Sequence, residues 1–137
     1  MALRRAYLPM HRHADSSFTP SGVTTDQFVV LSSLAEAGVL TQRELADWMA
    51  CDQNTLRAML LLLEKRGLVQ RQAHPTDGRA RLVSLTSEGE QLHQELWGQS
   101  EAFRQGLVDI LGPDDTQVLL ESLHRIAAAL TPRKASE

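Results

Sequence analysis

The stretch Leu68-Val-Gln-Arg-Gln-Ala73, His74-Pro-Thr-Asp-Gly78, Arg79-Ala-Arg-Leu-Val-Ser-Leu85 is where the period of the chain changes. Before it, apolar residues recur at helical spacing. Within it, two short runs read as strands on either side of a turn cluster. That cluster holds Asp-Gly, a pair favoured in tight hairpins because both residues tolerate left-handed backbone. The reading is a β-hairpin whose return strand carries Arg79 and Arg81.

Working back from the hairpin, Gly67 stops a helix that Asp52 is placed to cap. At about 100° per residue, Leu56, Met59, Leu60 and Leu63 fall on one side of it, the expected core face. Gln53, Asn54 and Arg57 point away from that face and Thr55 lies on its flank. Ala50-Cys51 reads as a tight turn. The box Thr41-Gln-Arg-Glu44 opens the preceding short helix, with Leu45, Ala46 and Met49 inward. A similar box, Thr24-Thr-Asp-Gln27, opens an earlier helix with Phe28, Leu31, Leu34 and Ala35 at helical spacing and Gly38 as its stop. Residues 14–23 are rich in Ser, Thr, Pro and Gly and are expected to be a loop. Residues 3–13 predict a first helix, interrupted or bent at Pro9.

Downstream, Thr86 or Ser87 is expected to cap one long helix reaching about Leu111, with Leu92, Leu96, Phe103, Leu107 and Ile110 as its apolar positions and gaps at Gln99 and Gly106. Gly112-Pro113 breaks it. A last helix from about Asp114 carries Leu119, Leu123, Ile126 and Leu130 at coiled-coil-like spacing. The polar tail Thr131–Glu137 is expected to fray. The fold class is mainly α with a small β-wing: a winged helix-turn-helix lobe over residues 24–86. Residues 1–23 and 87–137 are expected to supply N- and C-terminal helices of a dimerisation domain.

The 137 residues suit one domain, and 42% apolar with 23% charged residues is ordinary for a folded chain. No apolar run is long enough to span a membrane, so no membrane partner is expected. The start lacks the pattern of a signal peptide, and Cys51 is alone, so a cytoplasmic, reducing location is expected. The net charge of −3 argues against a nucleic-acid partner, but its distribution argues for one. Residues 64–81 hold five bases (Lys65, Arg66, Arg71, Arg79, Arg81) against two acids, a net of +3. Residues 86–121 hold eight acids against Arg104, a net of −7. One region can meet phosphates and the other repels them.

A helix-turn-helix places its second helix in the major groove of DNA, and a flanking hairpin can drop an arginine into the minor groove. Amides such as those of Gln53 and Asn54 can read base edges, Arg57 can bind guanine or phosphate, and the Thr55 hydroxyl can reach a phosphate.

These residues resemble the MarR family of winged-helix regulators. The match is carried by Asp77-Gly-Arg79-Ala-Arg-Leu-Val-Ser-Leu85-Thr86-Ser-Glu-Gly89, with Leu45-Ala46, Leu63-Glu64-Lys65-Arg66-Gly67-Leu68-Val69 and Gly22-Val-Thr24 at family spacing. The resemblance implies a homodimer with two DNA-binding lobes, and regulation, by default repression, at a palindromic operator in double-stranded DNA. It implies that Arg79 is the wing-tip arginine and Asp77 the acid that orients it. By the same likeness Asn54, Thr55 and Arg57 face DNA from the recognition helix, and Gln42 and Arg43 contact phosphates. Two departures stand out. Ala58 replaces a usual base, and Leu61-Leu62 replaces a frequent Asp-Arg pair, so Arg57 is read as a substitute cation and Leu61 as a residue that packs under the wing or meets a thymine methyl.

Members often bind small aromatic acids or phenols. The segment Leu3-Arg-Arg5-Ala-Tyr7 is similar to the start of members that answer to aromatic carboxylates. Arg5 is expected to pair a carboxylate, and Tyr7, His11 and His13 to bond a ring hydroxyl. Cys51 offers a rival reading as a redox sensor, and a winged-helix protein-interaction module is a further rival. The histidines are too scattered for a zinc site, and no phosphate loop or nucleophile motif is present. No metal, cofactor or enzymatic activity is expected.

Overall fold

The computed structural model describes residues 1–130. The tail expected to fray, Thr131–Glu137, lies outside the described residues. The chain divides into two compact units, Met1–Ser100 and the segment from Glu101 onward.

In the first unit, α1 (Ala2–Phe18) runs unbroken through Pro9. The helix continues although the proline lacks the N–H that would bond four residues back. The helix also extends five residues beyond expectation, into the segment expected to be a loop. Ser16, Ser17 and Thr19 turn their hydroxyls onto the carbonyls four residues back, so residues that often end helices here support one. A single 3₁₀ turn (Thr19–Ser21) and Gly22, at φ 70°, lead into α2 (Thr25–Ala37). Both capping boxes form. The Thr24 and Thr41 hydroxyls accept from the N–H of Gln27 and Glu44, whose side chains accept in return from the cap N–H.

Gly38 turns the chain into β1 (Val39–Thr41), a strand that sequence reasoning missed. Then come α3 (Gln42–Met49) and α4 (Gln53–Lys65), joined by a turn in which Ala50 takes a left-handed φ of 48°. The hairpin follows as β2 (Val69–Ala73) and β3 (Arg81–Leu85), and α5 (Ser87–Gln99) closes the unit. The sheet order is β1-β3-β2, antiparallel throughout, with Leu40 opposite Val83 and Arg71 opposite Val83 from the other side.

One core joins α2, α3, α4 and the sheet around Leu31, Leu34, Leu45, Leu56, Leu60 and Leu63. Met59 packs at its margin, as the helical angles predict. Ala35 is exposed instead, and Val30 and Ser33 take inward positions on α2. A second core of Phe18, Val23, Phe28 and Leu96 ties α1 and α5 to the other side of α2.

Thr86 accounts for the spacing of Thr86 and Gly89 in the stretch Leu85-Thr86-Ser-Glu-Gly89. Its hydroxyl accepts from the Gly89 N–H and donates to the Gly67 carbonyl, pinning the start of α5 to the start of β2. Gly89 is buried there, and a Cβ on it would collide with the Leu68 carbonyl oxygen.

The long helix expected to reach Leu111 is two helices. α5 ends at Gln99, Ser100 forms a turn, and α6 (Glu101–Leu111) begins the second unit. Gly112 precedes α7 (Pro113–Leu130), which packs on α6.

Candidate nucleic-acid interface

The candidate interface is built on α3, α4 and the hairpin loop. Asp52 caps α4, its carboxylate accepting from the Thr55 N–H at 2.9 Å and from the Thr55 hydroxyl at 2.7 Å. These bonds hold Asp52 below the usual carboxylate range. They also commit the Thr55 proton to the cap, so Thr55 shapes the helix start rather than offering that proton outward. Gln53, Asn54 and Arg57 are all exposed on the first turns of α4.

The hairpin loop, residues 74–80, is organised by two side chains. His74 Nδ1 accepts from the N–H of Thr76 at 3.2 Å and of Asp77 at 3.1 Å, which requires a ring unprotonated at that atom. The Asp77 carboxylate accepts from the backbone N–H of Arg79 at 3.0 Å. Asp77 therefore orients Arg79 through the turn and not by gripping its guanidinium. In the sequence His74 has no role beyond belonging to the turn, because its partners are backbone groups.

The hydrogen-bond partners of the cations change the meaning of the local charge. Arg71 lies half-buried and spends its charge inside the lobe. Its Nη2 and Nε donate to Glu64 Oε2 at 2.6 and 3.1 Å, and its Nη1 reaches Gln42 Oε1 at 3.4 Å. Arg66 donates to the carbonyls of Ser21 at 2.9 Å and Gly22 at 2.7 Å, clasping the end of α4 to the segment between α1 and α2. By contrast Arg43, Arg57, Lys65, Arg79 and Arg81 are exposed and have no side-chain partner among the described residues. Gln42 is half-buried at the start of α3, and because Arg71 takes its carbonyl oxygen, its NH₂ is the end left to donate.

The four residues read as effector contacts sit on α1. Arg5, Tyr7 and His13 are exposed. His11 stands 5.5 Å from the Tyr7 ring, and its two ring nitrogens each lie 3.3 Å from a carboxylate, of Asp15 and of Asp26. That engagement makes His11 a tie between α1 and α2.

None of the four lines the groove between α2 and α5, which has a volume of about 310 Å³ and is bordered by Ser32, Ala35, Glu36, His93 and Trp97. The His93 ring stacks on Phe28 at 5.6 Å, approaches Trp97 at 6.2 Å and bonds the Ser32 hydroxyl at 3.2 Å. Burial lowers the pKa of His93, favouring its neutral form. The sequence held one signal for this groove, His93 and Trp97 four residues apart on α5.

Cys51 packs against the main core. Burial, then the charges of Asp52 and Asp26, push its thiol up, the direction opposite to that of a reactive cysteine. Among the described residues, no helix is long and apolar enough to cross a membrane.

A helix-turn-helix followed by a hairpin with free arginines defines a winged-helix DNA-binding protein. The MarR family model matches residues 23–80. The multiple antibiotic resistance protein MarR of Salmonella typhimurium is 33% identical over 119 residues, 84% of this chain and 81% of that protein. NadR in complex with 4-hydroxyphenylacetate superposes with a TM-score of 0.85 at 27% identity, covering 92% of this chain and 89% of that one. The repressor CouR, bound to a 23-mer DNA duplex, gives 0.83 at 31% identity with the same coverage. This chain belongs to the MarR family and is a DNA-binding transcription regulator.

Proposed function

We propose that the protein is a repressor that binds a palindromic operator as a homodimer and leaves it when a small aromatic ligand binds. One observation carries the DNA half of this reading. Arg43, Arg57, Lys65, Arg79 and Arg81 are left without partners among the described residues, while neighbouring Arg66 and Arg71 are used internally. Unpaired exposed cations on α3, α4 and the wing are what phosphate contact requires. CouR, bound to duplex DNA, supports the same use of this fold.

Two exposed apolar faces support the dimer. On α1, Leu3, Tyr7 and Met10 form an exposed stripe at helical spacing. On α7, Val118, Leu119, Ile126 and Leu130 are 44–78% exposed, more apolar surface than a monomer ordinarily leaves in water. Helices from both ends of the chain would thus bury these faces against a second copy, leaving the central lobe over residues 24–86 to meet DNA.

For the ligand, the α2–α5 groove offers an aromatic wall and a neutral imidazole beside a hydroxyl. Among the residues that line it Glu36 carries a charge and no cation does, which favours a phenolic group over a bare carboxylate. NadR, solved with 4-hydroxyphenylacetate, supports that class.

The test is duplex selection from a random pool, followed by affinity across a salt series and by sedimentation of the free protein. The expected result is inverted-repeat duplexes bound by a dimer with a steep salt dependence. Failure to bind any duplex at low salt would sink the reading. Phenols should raise the melting temperature and release the duplex, and His93→Ala should abolish both effects.

A further inference from the structure

The face of α4 turned away from the core is apolar in its middle. Leu56, Leu60 and Leu63 are fully buried on one side. At about 100° per residue the stripe opposite them runs Asn54, Ala58, Leu61, Lys65. Ala58 is exposed, and Leu61 is 49% exposed. Leu61 belongs neither to the core nor to the partly buried apolar residues packed on it. Three and four residues away on the helix lie Arg57, Ala58, Lys65 and Glu64, whose charge Arg71 takes, and Leu62 beside it is 55% exposed. Asn54 stands at the N-terminal end of the stripe.

That layout matches the division of labour at a DNA groove, where cations at the edge meet phosphates and the centre of the helix meets base edges. The major groove presents one apolar group, the C5-methyl of thymine. Ala58 and Leu61 are separated by about 4.5 Å along the helix axis, close to the ~3.4 Å rise of one base-pair step. Asn54, one turn earlier, is suited to adenine.

We propose that Leu61, with the Ala58 methyl beside it, reads thymine methyl groups in the major groove of the operator, so that an apolar contact does the work a charged pair would do. This rests on the DNA-binding reading above.

The test uses the full chain and a duplex it selects, prepared in two forms, one with thymine and one with every thymine replaced by deoxyuridine. Pairing is kept and only the methyl is removed. The wild type is expected to bind the deoxyuridine duplex about fourfold more weakly for each thymine methyl that the helix covers. Leu61→Ala, a change at an exposed position checked by an unaltered melting temperature, is expected to lose most of that difference, with Ala58 left to supply the rest. Equal wild-type affinity for the two duplexes would overturn the proposal while leaving DNA binding intact. Equal losses in wild type and Leu61→Ala would remove the assignment to Leu61. Absence of salt-sensitive binding to any duplex would overturn this proposal and the reading beneath it.

Discussion

Gly89 and the arginines show how differently single residues act in this lobe. Gly89 has no room for a side chain because α5 starts against the Leu68 carbonyl. Gly89→Ala must push the helix off the strand, an overpacking cost of about 1–3 kcal/mol, visible as a lowered denaturation midpoint. Arg79 and Arg71 are both hairpin arginines, yet they predict opposite phenotypes. Arg79→Ala removes a free cation and should weaken duplex binding while lowering the magnitude of the salt slope by about 1, with the melting temperature unchanged. Arg71→Ala leaves Glu64 without its partner and frees the Gln42 amide, so it should lower the melting temperature. Measuring both quantities on both variants separates the roles.

At the scale of elements, α1 is held to α2 by polar ties as well as by Phe18. The Asp15 carboxylate accepts from the Thr25 N–H at 2.7 Å, and His11 lies between Asp15 and Asp26. Hydrogen bonding from Thr25, through its hydroxyl and its backbone N–H, keeps Asp15 below its ordinary pKa. A depressed carboxylate stabilises the fold fully above its unfolded pKa, and that contribution is lost as pH falls through the lower folded value. Acid titration of the wild type should therefore show a loss of stability below about pH 4 that is reduced in Asp15→Asn. The helix starts at Thr24, Thr41, Asp52 and Thr86 were legible in the sequence because a cap and its partners lie within three residues of each other. Strand β1 was not, since three residues between Gly38 and a capping threonine carry no period. The break at Ser100 left one mark, a gap in the apolar positions at Gln99, but those positions resume at helical spacing beyond it.

For the whole molecule, a chain of net charge −3 binds an anionic polymer only if its charges are sorted in space. Along the chain the positive excess falls at 64–81 and the negative excess at 86–121, so the proposed DNA contact rests on the first of these. The proposed binding of two lobes to one palindromic operator also requires a dimer. Ile126, 55% exposed on α7, is a suitable probe. Ile126→Glu should shift the sedimenting species to monomer and lower operator affinity at least tenfold, because each half-site is then bound alone. A variant that stays dimeric would move the interface to other residues.

The amino-acid sequence determined the helix-turn-helix, the wing and the caps, since each is written in neighbours a few residues apart and in the period of apolar side chains. Which cations remain free was decided only by tertiary structure. Arg66 finds its carbonyls 44 and 45 residues away, and Arg71 joins Glu64 to a glutamine 29 residues back. The groove of His93 and Ser32 closes a separation of 61 residues. Leu61 could be placed opposite the core from the helical period alone, but only the packed lobe leaves it half exposed. Hydrogen bonds and burial between segments distant in the chain depend on how the elements dock, and no local pattern records that docking.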